Sequence, residues 1–136
     1  MQKTNGSTFN PNSTGIVPAD TTDVSYGSGF TASGNGIQCG FDGTVRVVVG
    51  VFASGTVTRA SFRLRAAIDG TEIGPIFNQS YHRNANGQNE NGSVIPGYLL
   101  TVSNGEVVTA THAAQGAGGT LTTPVGDAFL LVERVA

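Results

Sequence analysis

With 136 residues, 38% of them hydrophobic and 12% charged, the chain is long enough to bury one self-standing core and too apolar to be disordered by composition. A net charge of −2, with seven Lys and Arg, supplies no electrostatic footprint for nucleic acid, and the single cysteine, Cys39, excludes an internal disulfide. Twenty glycines, no tryptophan and few Lys and Glu describe short strands joined by tight turns and exclude long helices.

In chain order, residues 1–20 are polar and turn-rich, with Phe9, Ile16 and Val17 as the large apolar groups after Met1. Such a segment buries too little to offset its own ordering, so it is expected to be a flexible N-terminal arm, with the folded domain spanning 21–136. It lacks the apolar stretch of a secretory signal, and no run approaches the ~18 apolar residues of a membrane span, so a soluble protein made in a cytoplasm is expected. The chain starts at Met1, which suggests a whole gene product. Four N-x-[ST] sequons begin at Asn5, Asn12, Asn78 and Asn91, and in so Asn- and Ser-rich a chain they read as chance.

From Asp23 onward the apolar pattern has period two. Asp42-Gly43 leads into residues 44–53, with Val45, Val47, Val49 and Val51 on one face and Val48 and Phe52 making the other face apolar too. Residues 61–68 alternate cleanly, with Phe62, Leu64, Ala66 and Ile68 facing one way, and run into Asp69-Gly70, a strong hairpin signal. The polar residues 78–92 are longer than a hairpin needs. Residues 98–103 then meet a second hairpin signal, Asn104-Gly105, and are expected to return as 106–114. After a Gly-rich loop over 115–125, residues 128–135 close the chain with both faces apolar. Strands at this spacing predict an all-β antiparallel sandwich or barrel. A sandwich covers only the inner face of its strands, so the second apolar face of 128–135 predicts self-association, the alternative being a loop or the N-terminal arm laid over it.

Catalytic constellations are missing from the sequence. There is no nucleophile elbow or Walker A loop, His82 and His112 have no second ligand at metal spacing, and Cys39 has no partner for zinc. His112, on a strand, reads as a core or interface histidine rather than a base. Glu72, Glu90, Asp127 and Glu133 are carboxylates that could converge for glycoside hydrolysis, but nothing in their spacing points to it. The protein is therefore expected not to be an enzyme and to need no cofactor or metal. Tyr81-His82-Arg83, in the long polar loop, could stack on a sugar or a partner's aromatic side chain.

Several segments together resemble the tumour-necrosis-factor/complement-type jelly roll. Gly43-Thr44-Val45-Arg46-Val47 is similar to that family's G-x-Y-x-V strand, and residues 63–70 (RLRAAIDG) to the strand and turn that follow. Residues 100–108 (LTVSNGEVV) resemble its L-x-x-G-D-x-V element, and 128–135 its closing strand. The order and spacing match over roughly residues 23–136, although Val45 stands where the family usually has an aromatic, Glu106 replaces the common Asp, and no collagen-like stalk precedes the fold. The resemblance implies an antiparallel jelly-roll sandwich of eight to ten strands, assembled as a homotrimer through Tyr98, Leu100, Val102, Phe129 and Leu131.

Stalkless, Gly- and Thr-rich versions look more like structural proteins of tailed bacteriophages. That resemblance implies a virion protein on the capsid exterior, a decoration or cement protein with the major capsid protein as partner and Phe9, Ile16 and Val17 as arm contacts. The alternative is a fibre or spike knob that binds a host surface glycan through Tyr81, His82 and Arg83. Neither role involves nucleic acid or membrane.

Overall fold

The valine alternation of the sequence becomes a twelve-residue strand, Gly43–Ser54, in which Val45, Val47, Val49 and Val51 are all buried. The computed structural model describes residues 1–55, 59–77, 90–116 and 119–136, the Asn91 side chain excepted. Among these residues the chain forms eleven strands: β1 (Gln2–Thr4), β2 (Gly15–Ile16), β3 (Thr21–Val24), β4 (Phe30–Ser33), β5 (Gly36–Cys39), β6 (Gly43–Ser54), β7 (Phe62–Ile68), β8 (Thr71–Phe77), β9 (Glu90–Val102), β10 (Val107–Ala114) and β11 (Ala128–Arg134). No helix occurs among them.

The strands make two antiparallel sheets, one ordered β3-β1-β11-β6-β9 and the other β4-β5-β10-β7-β8, with β2 added beside β10. Their inner faces meet in one core. Val45 to Val51 on β6, Ile95 and Leu100 on β9, and Leu130 and Val132 on β11 pack opposite Ile37, Phe62, Leu64, Val108 and Ala110 of the second sheet. This is the predicted all-β sandwich. The eight strands from Phe30 onward match the expected number, and the other three lie in the first 24 residues.

Those three strands correct the reading of residues 1–20 as a flexible arm. β1 pairs with β11 in register Gln2↔Leu131 to Thr4↔Phe129, so the N-terminal segment is an interior member of the first sheet. The segment then crosses the end of the sandwich to the second sheet. There Asn10 Oδ1 accepts from the Leu121 amide at 3.1 Å, and Asn12 Nδ2 donates to the Gly119 carbonyl at 2.9 Å. Finally β2 pairs with Thr111 and His112 of β10, on the edge that the four-residue β5 leaves open beyond Val108. The physical reason is this vacancy. A short β5 leaves half of β10 unpaired and part of the core uncovered, and Val17 and Ala19 fill it, both fully buried. Residues 1–20 are therefore part of the folded domain.

The two hairpin signals behave differently. Asp69 (φ 49°) and Gly70 (φ 79°) both take the left-handed conformation that a type I′ turn requires, and they join β7 to β8 directly. At Asn104-Gly105 only Gly105 (φ 94°) does so, and the turn carries the chain from β9 in one sheet to β10 in the other. The expected hairpin is thus a crossover. Without a positive φ at the first turn residue the I′ twist that keeps two strands paired is missing. The turn is instead fixed by the Glu106 carboxylate accepting from the Ser103 amide at 2.7 Å and by Asp42 accepting from the Asn104 amide at 2.8 Å.

Candidate functional site

The outer face of the β3-β1-β11-β6-β9 sheet carries the second apolar side of the last strand. On β11 the outward residues are Phe129, Leu131 and Glu133, alternating with buried Ala128, Leu130 and Val132. Their neighbours on β6 are Gly50, Val48 and Arg46. Phe129 lies across Gly50, where a Cβ would come within 2.4 Å of the ring, so glycine is what lets the phenylalanine lie flat on the sheet. Glu133 accepts a hydrogen bond from Arg46 Nε at 2.8 Å, which closes the row with an exposed ion pair. On β9 the large exposed apolar residue is Leu99, 57% exposed, and beside β1 the face continues through Val24 and Tyr26. A groove of about 460 Å³ runs there between Met1, Val24, Tyr26, Phe30, Leu131 and Arg134. The two-sided apolar character expected for the last strand is present.

Within the proposed interface set, Phe129 and Leu131 do face outward. Tyr98, Leu100 and Val102 do not: Leu100 and Val102 are core residues, and Tyr98 packs edge-on against Phe77 between the sheets, with ring centroids 6.1 Å apart. The cause is a β-bulge. Val49 pairs with Ile95 and Val47 with Tyr98, so Pro96 and Gly97 together oppose the single residue Val48. Strict alternation from buried Ile95 would send Tyr98, Leu100 and Val102 outward, and the extra residue turns them in and Leu99 out. The Pro-Gly dipeptide was the only sequence signal for that switch.

The proposed arm contacts are also redistributed. Phe9 packs on the His112 ring at 5.1 Å between centroids, Val17 is core, and Ile16 alone keeps substantial exposure, 42%. His112 points into the sandwich in line with Val108 and Ala110, as a core histidine, and Nδ1 lies 3.1 Å from the Pro11 carbonyl and 2.8 Å from the Ser13 carbonyl. Burial holds its pKa below the ordinary histidine value, with the backbone hydrogen bonds to Ser13, Pro11 and Ile16 opposing part of that effect. Lys3, unnoticed in the sequence, is buried on β1 and reaches across to the β4–β5 turn, donating to the Gly34 carbonyl and, at 3.2 Å, to the Gly36 carbonyl. Burial lowers its pKa as well.

The four candidate carboxylates divide. Glu72 sits on the outer face of the second sheet, accepting from the Thr111 hydroxyl at 2.7 Å and from Arg65 at 3.0 Å, and it is held below the usual carboxylate range by that hydroxyl first and by Arg63 and Arg65. Glu133 is paired with Arg46. Glu90 and Asp127 alone come together, in one cleft at the end of the first sheet. Among the described residues no three His, Cys, Asp or Glu side chains gather as a metal site. Cys39 is buried, and burial pushes its thiol pKa up. The sequons at Asn5 and Asn12 are buried, and both side chains donate to backbone carbonyls. Tyr81, His82, Arg83 and the sequon at Asn78 lie outside the described residues.

No protein-family model and no curated protein matches the sequence. Solved structures do. The crystal structure of murine APRIL at pH 5.0 superposes with a TM-score of 0.67 at 12% identity, covering 98% of this chain and 96% of that one. The Eiger TNF structure from S. frugiperda superposes with a TM-score of 0.51 at 15% identity, covering 78% of this chain and 67% of that one. The fold is a tumour-necrosis-factor-type jelly roll. At these identities the likeness concerns the arrangement of strands, and the TNF-type sandwich here carries its unpartnered apolar face on the sheet that contains the first and last strands.

Proposed function

We propose that this protein is a structural, non-enzymatic subunit that self-associates as a homotrimer through the outer face of the β3-β1-β11-β6-β9 sheet and decorates the outer shell of a bacteriophage head. The observation that carries the reading is that face: Phe129, Leu131, Val48 and Leu99 form an apolar surface on a sheet whose other side already holds the core. A surface of this kind is covered in a working protein, and a closed homo-oligomer covers it with copies of itself. The bacteriophage assignment is supported by the resemblance in sequence, and the trimer also by the TNF-type fold.

Since Phe9 and Val17 belong to the fold, the contact with the major capsid protein is made by the folded surface of each subunit rather than by a trailing arm. Three linked contacts act at high effective concentration, which raises avidity by ~10²–10⁴ over a single one. Shell subunits bridged in this way resist internal pressure because they must separate together. The experiment is co-sedimentation of the purified protein with heads that lack it. Saturable binding in multiples of three, with a gain in resistance to heat or osmotic shock, is the expected result. A protein that stays monomeric and fails to sediment with heads overturns the reading.

A second reading, a glycan-binding knob, is favoured by the polar residues 78–92 with Tyr81-His82-Arg83. It predicts binding to host envelope that is lost in the Tyr81→Ala, His82→Ala double variant, and a few copies per particle rather than hundreds.

A further inference from the structure

The cleft that brings Glu90 and Asp127 together is built for more than solvent. It holds about 330 Å³ at the end of the first sheet, and Phe52, Ser54, Glu90, Gly92, Pro124 and Asp127 line it. Its floor is the outward side of β6. Phe52 and Ser54 stand there in alternation with buried Ala53, and Phe52 remains 48% exposed although its ring is held against the sheet. Opposite Phe52 on β9 is Gly92, where a Cβ would lie 2.6 Å from the ring, so the glycine seats the phenylalanine flat. Glu90 pairs with Ser54 on one side of β6. On the other side the Asp127 carbonyl accepts from the Phe52 amide at 3.0 Å, and the Asp127 amide donates to Pro124 at 3.2 Å, closing the 124–127 turn. A second turn bond, from the Gly126 amide to the Asn5 carbonyl at 3.0 Å, ties this loop to the N-terminal segment. The aromatic plate and the Asp127 wall are therefore preorganised by backbone hydrogen bonds.

We propose that this cleft is a saccharide-binding site that takes one pyranose ring without an acid group. An exposed, immobilised aromatic face offers the apolar side of a sugar ring a stacking partner at low entropic cost. Carboxylates are acceptors only, and Asp127 beside Phe52 together with Glu90 beside Ser54, one step along β6, suit a ligand that presents several O–H donors. Among the described residues neither Lys nor Arg lines the cleft, and their two negative charges would oppose a sialic or uronic acid while accepting a neutral hexose or N-acetylhexosamine. The volume, at the lower end of the usual range for ligand pockets, admits a small ligand rather than a long chain. The cleft lies on the same outward face of β6, one row beyond the Gly50–Phe129 pair, so it requires that any assembly through Phe129, Leu131, Val48 and Leu99 stop short of Phe52. It rests on no bacteriophage origin and uses none of residues 81–83.

The test is saturation-transfer NMR on the full chain with methyl glycosides of neutral hexoses and of N-acetylhexosamines, with N-acetylneuraminic acid and glucuronic acid as acidic comparators. At least one neutral pyranoside is expected to receive transfer and the acids to receive none. Phe52→Ala should weaken binding about tenfold or more, and Asp127→Asn should weaken it without touching the aromatic plate. Both positions are exposed, and a thermal melt verifies that each variant is folded. Absence of transfer from every neutral pyranoside overturns the proposal. So does equal transfer to the acids, or binding that survives Phe52→Ala and disappears with Tyr81→Ala. Native mass measured on the same sample reports the assembly reading separately.

Discussion

At the scale of single residues, the fold encloses two basic side chains among the described residues, and each reports a different limit of sequence reading. His112 was legible as an interior residue because it continues the buried alternation of Val108 and Ala110. Lys3 was not, because an isolated lysine in a polar stretch reads as surface, and its partners, the Gly34 and Gly36 carbonyls, belong to a turn thirty residues away. For His112 the consequence is a pH dependence of stability. Burial depresses its folded pKa, so in the unfolded chain the imidazole takes up a proton near its ordinary pKa of ~6.5 while the folded chain still refuses it. Stability is therefore full above that pH and falls as the pH drops through it toward the lower folded value. Urea midpoints at a series of pH values between 8 and 5 should show this slope in the wild type. In His112→Gln the slope should flatten, while stability at pH 8 drops by about 1–3 kcal/mol because the Pro11 and Ser13 carbonyls lose their ring donor. An unchanged slope in the variant would mean that another group carries the dependence.

At the scale of elements, the central strands were legible and the segments that decide how they are used were not. The β6, β7 and β11 alternations needed no tertiary information, since period two states which side chains share a face. The direction of β9 depended on the Pro96-Gly97 bulge, and the destination of the chain after Asn104-Gly105 depended on a turn type that two residues alone do not determine. The N-terminal segment is the plainest case. Phe9, Ile16 and Val17 stood out as anchors, but the slot they fill exists only because β5 is four residues long and leaves the second half of β10 open. Removal of residues 1–20 would take away β1, β2 and the buried Val17 and Ala19 together. The expected outcome is a chain that loses cooperative unfolding or aggregates, since burial of this extent is comparable with the ~5–15 kcal/mol that holds a domain folded. A folded, cooperative fragment would restore the arm reading. Val17→Ala gives the graded version, a loss of about 2 kcal/mol in the urea midpoint analysis, because two buried methyl groups are removed from a site with little room to collapse.

At the scale of the whole molecule, the question is what covers the outer face of the first sheet, and adjacent residues on one strand can separate assembly from folding. Leu130 and Leu131 are chain neighbours on β11, yet Leu130 is fully buried in the sandwich and Leu131 points the other way, opposite Val48. A charge at position 130 would sit in the core of every subunit, where an unpaired carboxylate is either expelled by unfolding or carried at a cost of several kcal/mol. A charge at position 131 keeps contact with water on the half-exposed outer face of the isolated chain and is fully buried only if another subunit lies against it. Leu131→Asp should therefore keep the wild-type fold by circular dichroism and lose no more than about 0.5–1 kcal/mol in an isolated subunit. Its native mass should fall from three times 13.9 kDa to one. Leu99→Asp, on the neighbouring exposed position of β9, should act in the same direction through the same face. Leu130→Asp should instead unfold the subunit. If Leu131→Asp and Leu99→Asp leave the native mass at the trimer value, the subunits meet elsewhere, and the apolar row on β11 belongs to a contact with a different partner.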